Sequence, residues 1–273
     1  MAEQLHTERY RIRPGQRVDL GEWDPSDTSG FEGDDAAAAT EIAKLRKKLD
    51  ELQEMLFIED GRSVLIVLQG MDTAGKDGTI RKVFEGVNPA GVRVAHFREP
   101  GPEELAHDFL WRVHKQTPAK GELVIFNRSH YEGVLVEEVH GLISDKTCRR
   151  RYKLINEFER LLAEGGTTIL KFYLNIDRNE QKMRLEERLA DRTKRWKLSS
   201  ADLAERKLWP KYVMAYEHAL EKTSTDWAPW YAVPSNHKWY RDLVVAGVIV
   251  KTMERFNMKY PPGPKGAESL TVK

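Results

Sequence analysis

The stretch VLIVLQGMDTAGKDGT, residues 64–79, decides how this chain is read. An apolar, β-branched run leads to Gly70, and Gly75–Lys76 follow at the GxxxxGK spacing of a phosphate-binding loop. A loop that leaves a buried strand and enters a helix points successive backbone N–H groups at one spot. The helix N-terminus adds a partial positive charge of about half a unit there. The expected phosphate cradle is therefore Gly70, Thr73, Ala74, Gly75, Asp77 and Gly78, with Lys76 reaching the outer phosphates as a point charge. The Ser or Thr hydroxyl that ordinarily follows the lysine and ligates magnesium is replaced by Asp77, so a metal must be held differently. Asp72 is an anion inside a loop built for anions. Its expected role is to hold Mg²⁺ directly or through water, the alternative being a solvated turn.

Outward from the loop, short apolar runs alternate with helical stretches, the pattern of a parallel α/β sheet. Strands are expected at Val64–Gln69, Val92–Phe97, Leu123–Asn127, Thr168–Leu174 and Tyr231–Val233. Helices are expected at about 76–87, 102–116, 131–143, 146–164, 178–190, 209–223 and 236–257. The fold class is α/β, a parallel sheet with helices on both faces, as in a P-loop NTPase three-layer sandwich of thymidylate-kinase type with a helical lid. Residues 1–60 read as an arm followed by a packing helix that carries Ile42, Leu45, Leu49, Leu52 and Leu56 and stops at Gly61. Residues 61–258 read as the kinase core, and 259–273, rich in Pro and Gly, as a disordered tail.

The 273 residues, 40% of them hydrophobic, suffice for a substantial core. The longest apolar run, Leu243–Val250, is too short for a bilayer, and the N-terminal residues lack a signal-peptide pattern. A cytoplasmic protein without membrane partners is expected. Cys148 is the only cysteine, which excludes an intrachain disulfide or a cysteine-built zinc site. A net charge of +1 argues against a nucleic-acid partner.

In doubly wound sheets ligands sit beyond the carboxyl ends of the strands, so the residues after Leu123–Asn127 should face the loop. Asn127, Arg128, Tyr131 and Glu132 become candidates, with Arg128 as a phosphate clamp or, alternatively, an ion pair at the sheet edge. Between Lys182 and Lys197 seven basic residues face three acidic ones, and Arg184, Arg188 and Arg192 recur at helical spacing before Lys194. A solvated helix is the alternative. A basic lid over about 182–208, closing on phosphates, is the favoured reading. Arg98 and Glu99, after the second expected strand, are acceptor-binding candidates. The aromatics Trp227, Trp230 and Tyr231 are assigned to packing.

With these residues in view, the chain resembles the polyphosphate kinase 2 family over about residues 5–260. The likeness is carried by GMDTAGKDGT at 70–79, NPAGVRVAHF at 88–97, EELAHDFLWRVHKQTPAKG at 103–121, FNRSHYEGVLVEEVHG at 126–141, KRWKLSSADL at 194–203 and TDWAPWYAVPSNHKWYRDL at 225–243. The form FNRS followed by YE is similar to the class III variety. The resemblance implies transfer of phosphate from inorganic polyphosphate to AMP and ADP, giving ADP and ATP, with Mg²⁺ or Mn²⁺ and a homotetramer or dimer. It implies site roles for Asp72, Lys76, Asn127, Arg128 and Glu132 and for Arg188 in the lid. Gly133 departs from the family, where an acid is common. Two rivals remain open: an ATP-dependent nucleoside monophosphate kinase of thymidylate-kinase type, to which REPG at 98–101 also points, and a non-catalytic polyphosphate- or nucleotide-binding module.

Overall fold

The computed structural model describes residues 5–197 and 200–262. Among these residues six strands form one sheet in the order β1-β6-β5-β2-β4-β3. They are β1 (Arg11–Ile12), β2 (Ser63–Gln69), β3 (Val92–His96), β4 (Leu123–Asn127), β5 (Thr167–Asn175) and β6 (Trp230–Pro234). Strands β2 to β6 are mutually parallel, and β2 lies between β4 and β5 with Leu68 opposite both Asn127 and Phe172. Every residue of β2 and β4 is buried, which explains why their sequences run apolar without alternation. The expected strands are all present. The two-residue β1, inside what reads as an irregular arm, pairs antiparallel with β6.

Helix α1 (Asp35–Glu59) is capped by Asp34, whose carboxylate accepts from the Ala37 N–H. It ends at Asp60 in a left-handed conformation, one residue before the expected Gly61 stop. Its apolar stripe is buried, and it packs on α10 (Lys238–Glu254) together with α2 (Lys76–Val83). The other face is covered by α5 (Val136–Val139), α6 (Asp145–Glu164) and α9 (Trp209–Thr223). The helix expected over 102–116 is two single turns, α3 (Pro102–Leu105) and α4 (Trp111–His114), because Asp108 accepts from the Leu110 N–H and folds the chain between them. The helix expected over 131–143 is likewise a 3₁₀ stretch, His130–Val134, before α5.

The segment read as a lid comprises α7 (Arg178–Ala190), a short turn at Arg195–Lys197 and α8 (Ser200–Lys207). Residues 198 and 199 of it, and 263–273 of the expected tail, lie outside the described residues. Among the described residues no helix is long and apolar enough to cross a membrane.

Candidate active site

The loop after β2 departs from ordinary backbone at three places. Gly70 has φ +154°, Thr73 +65° and Gly75 +107°. A Cβ on Gly70 would meet the Leu174 carbonyl at 2.9 Å, and one on Gly75 would overlap the Arg241 guanidinium, so both positions require glycine. Thr73 adopts the left-handed region at a cost of about 1 kcal/mol, the kind of local strain found where a loop is shaped for a ligand. Gly75→Ala is expected to lose about 1–3 kcal/mol of stability. That lowers the unfolding midpoint by roughly 2–12 °C, at about 2–4 °C per kcal/mol for a protein of this size. Calorimetry of the variant beside the wild type checks it.

Lys76 opens α2 and folds back, its Nζ donating to the carbonyls of Gly70 at 2.7 Å and Met71 at 3.3 Å. Desolvation, and then the neighbouring Arg128 charge, push its pKa down to about 8, with Asp72, Glu132 and Asp77 pulling the other way. A bound anion would raise it again.

Arg128 follows β4 with φ +61°, its N–H bonded to the Leu68 carbonyl and its guanidinium 3.3 Å from Glu132. Glu132 is held from a second side by Gln69, which donates to it and to Ser129 Oγ at 3.1 Å each. Asn127 donates to Asp77 at 2.5 Å, so the residue in the hydroxyl position of the loop is tied to the end of β4. Arg188 lies 3.2 Å from Asp72 and joins α7 to the loop.

Of these groups Asp72, Lys76, Asp77, Asn127, Arg128 and Arg188 line a crevice of about 600 Å³ at the carboxyl edge of the sheet, and Glu132 borders it through its ion pair with Arg128. Among the described residues nine lysines and arginines face it against four carboxylates, in a chain whose net charge is only +1. Loop residues Asp72, Thr73, Gly75, Lys76, Asp77 and Gly78 line it together with Asn127, Arg128, Arg188 and Lys194. Arg98 and Glu99 stand exposed on its rim. Gly70 and Ala74 shape the loop from beneath, and Ala74 is fully buried.

Three expected contacts fall elsewhere. Tyr131 is turned inward by the 3₁₀ stretch and is fully buried, its hydroxyl 2.9 Å from Glu159, from Thr223 Oγ1 and from Lys171 Nζ. It belongs to a buried network in which Lys171 Nζ meets Glu159 at 2.6 Å and His130 Nε2 lies 3.1 Å from the same carboxylate. Burial raises the Tyr131 pKa well above the usual phenol value, so the group stays neutral and cannot contact an acceptor. Arg192 leaves the face of Arg184 and Arg188 because α7 ends at Ala190, where Asp191 accepts from the Thr193 N–H and hydroxyl. Arg184 lines the crevice but is nearly inaccessible and directs its guanidinium at backbone carbonyls. A Cβ on Gly133 would face Phe109 and Arg151 at 3.0 and 3.1 Å, so an acid there would meet Arg151 rather than the crevice.

Sequence reasoning missed Arg81, Lys238 and Arg241, which also line the crevice, and Gln69, which steadies Glu132. The signal for Arg241 was the HKWYRDL stretch opening the last long helix, read only as part of a resemblance. Among the described residues no three His, Cys, Asp or Glu side chains converge as a metal cage.

A phosphate-binding loop at the carboxyl edge of a parallel sheet, facing a basic helical segment, is the layout of a P-loop kinase. Comparison with known proteins narrows this. The family model "Polyphosphate kinase 2 (PPK2)" matches residues 32–261, and the chain belongs to that family. It is 52% identical to the AMP/ADP-polyphosphate phosphotransferase of Meiothermus ruber over 97% of this chain and 99% of that one. It is 39% identical to the ADP-polyphosphate phosphotransferase of Rhodopseudomonas palustris over 94% and 93% of the two chains. The crystal structure of polyphosphate kinase 2 from Arthrobacter aurescens superposes with a TM-score of 0.91 at 43% identity, covering 94% of this chain and 91% of that one.

Proposed function

We propose that this chain transfers the terminal phosphoryl group of inorganic polyphosphate to AMP and to ADP, giving ADP and ATP. The observation that carries the reading is the concentration of cationic side chains around the loop N-terminus of α2, which suits a donor with about one charge per phosphate. The 52% identical relative is named for the same pair of acceptors.

The attacking group is itself a phosphate oxygen and already anionic, so in-line transfer needs no strong general base and no covalent enzyme intermediate. Catalysis is then positioning and charge neutralisation. The loop N–H groups and Lys76 hold the transferred phosphoryl group, Arg128 clamps a neighbouring phosphate, and Glu132, itself held by Gln69, fixes the Arg128 guanidinium. Arg188 and Lys194 approach from the lid. Arg98 and Glu99 are placed for the acceptor. Mg²⁺ or Mn²⁺ fits this site, because such an ion keeps its waters and binds through one or two carboxylates plus substrate phosphates. Asp72 would hold it, and it would neutralise charge on the phosphates between which transfer occurs. The proposal extends to a homo-oligomer, tetramer or dimer, in the cytoplasm with no nucleic-acid partner, and light scattering of the purified chain gives the subunit number.

Incubation with Mg²⁺, long-chain polyphosphate and AMP, with no added ATP, is expected to yield ADP and then ATP by chromatography. Transfer from ATP to a nucleoside monophosphate, with none from polyphosphate, would make it an ordinary nucleotide kinase. Tight polyphosphate binding with no turnover would make it a binding module.

A further inference from the structure

Arg184 sits among the cations of the crevice, yet its contacts are those of a clamp. A guanidinium has five N–H donors. Nε donates to Glu180 at 2.6 Å, Nη1 to the carbonyls of Thr73 and Ala74 at 2.9 and 3.0 Å, and Nη2 to those of Ser235 and Asn236 at 2.6 and 3.0 Å. All five are committed, four of them to main-chain oxygens, in a side chain only 5% exposed. No donor is left for a phosphate.

The Ala74 carbonyl also accepts from Arg241 at 3.2 Å. In a trans peptide the carbonyl and the following N–H point in opposite directions, so two guanidinium groups fixing the Ala74 oxygen fix the Gly75 N–H as well. That N–H belongs to the anion cradle. The second anchor of Arg184 is itself anchored. The Asn236 N–H donates to the Pro25 carbonyl at 3.0 Å, and its Nδ2 to Ser26 Oγ at 2.7 Å and to Asp177 at 2.8 Å. Contacts therefore run without a break from the N-terminal arm through the turn after β6 to Arg184 and on to the phosphate loop.

We infer that Arg184 is a positioning residue that holds the loop peptides in their anion-binding orientation, and that Asn236 ties this clamp to the N-terminal arm. The inference deepens the proposed function and rests on it for its kinetic readout.

The test uses the full chain carrying Arg184→Lys, Arg184→Gln, Asn236→Ala, or Arg184→Lys with Asn236→Ala. Lysine keeps the charge but cannot reach four carbonyls in two directions, so Arg184→Lys is expected to lower kcat at least about tenfold. A lost phosphate contact flattens the dependence of log affinity on log salt by about one unit. Arg184→Gln is expected to leave that slope unchanged. Asn236→Ala, in a half-buried turn, is expected to lower kcat several-fold with the same slope. The double variant should be no worse than Arg184→Lys alone, since both act through one chain of contacts. Hydrogen–deuterium exchange of the 70–78 peptide should quicken in each variant, a readout independent of turnover.

Near-normal kcat in Arg184→Lys, or a slope reduced by about one in Arg184→Gln, would overturn the clamp in favour of a phosphate ligand. Wild-type kcat and loop exchange in Asn236→Ala, or fully additive effects, would overturn the link to the arm. Should the Arg184 variants fail to fold, Asn236→Ala decides by the same measures. A wild-type protein inactive with polyphosphate would be a failure of the functional reading, and the exchange measurement would still decide the clamp.

Discussion

Lys76→Ala is expected to lower kcat with polyphosphate by about 10²–10³-fold, the cost of removing one preorganised donor from charge that develops in a transition state. The fold should survive. Among the described residues Lys76 Nζ bonds to the carbonyls of Gly70 and Met71, and both oxygens can be taken over by water once the side chain is gone. Unchanged thermal unfolding beside a collapsed kcat is the expected pair of results, and near-normal turnover would remove Lys76 from the chemistry. The same lysine predicts a pH dependence. Its pKa is pushed down to about 8 in the free protein, by burial first and Arg128 second. A bound polyanion raises it, so the complex holds more protons than the free site above that pH. Affinity for the donor should be full below about pH 8 and fall as pH rises through it, by at most about tenfold per unit. KM for polyphosphate measured from pH 7 to 9.5 checks the sign, and the drift should vanish in Lys76→Arg.

Lys171→Ala carries the largest expected effect on stability. Lys171 is fully buried on β5, and its ammonium meets Glu159 at 2.6 Å, the Thr223 carbonyl at 2.7 Å and Tyr131 at 2.9 Å. Removing it leaves the Glu159 carboxylate, itself fully buried, with His130 and Tyr131 beside it among the described residues. Breaking such a pair costs about 3–5 kcal/mol, whereas replacing both partners with apolar groups of similar volume is often neutral. At about 2–4 °C per kcal/mol for a protein of this size, the midpoint should drop by roughly 6–20 °C. Lys171→Met combined with Glu159→Leu should recover most of that. A single variant as stable as wild type would show that the interior supplies Glu159 with another partner. The pair lies directly under the residues between Arg128 and Glu132, so kcat of the single variant should fall further than its stability alone requires.

The parts of this molecule that are contiguous in sequence were the parts that could be read. β2, its loop and the start of α2 occupy one unbroken stretch, and the strain at Gly70 and Gly75 is of the kind glycine advertises. Placement of Asn127, Arg128 and Glu132 near the loop followed from the rule that ligands sit at carboxyl ends of parallel strands. Helical spacing identified the face shared by Arg184 and Arg188, but spacing says nothing about partners. One arginine reaches Asp72 while the other is saturated by carbonyls from two distant segments. Tyr131, between Arg128 and Glu132, was misplaced because a 3₁₀ turn rotates successive side chains by about 120°, and one step turned the ring into the core. Arg241 is more than 160 residues from the loop it supports, and no local pattern joins them. The two residues of β1 are too few for a periodic signal.

That short strand also bears on the order in which the chain can mature. Ile12 pairs with Trp230, so the partner of the arm leaves the ribosome more than 200 residues after the arm itself. At about 5–20 residues per second the interval is roughly 10–45 s. Tyr10 and Ile12, both buried in the finished protein, lack Tyr240 and Trp230 during that time. The central strand closes earlier, once β5 has followed β4. A segment synthesised before the sheet is thus among the last to be seated, and nascent chains stalled before residue 230 should carry an arm open to proteases and chaperones while β2, β4 and β5 are already paired.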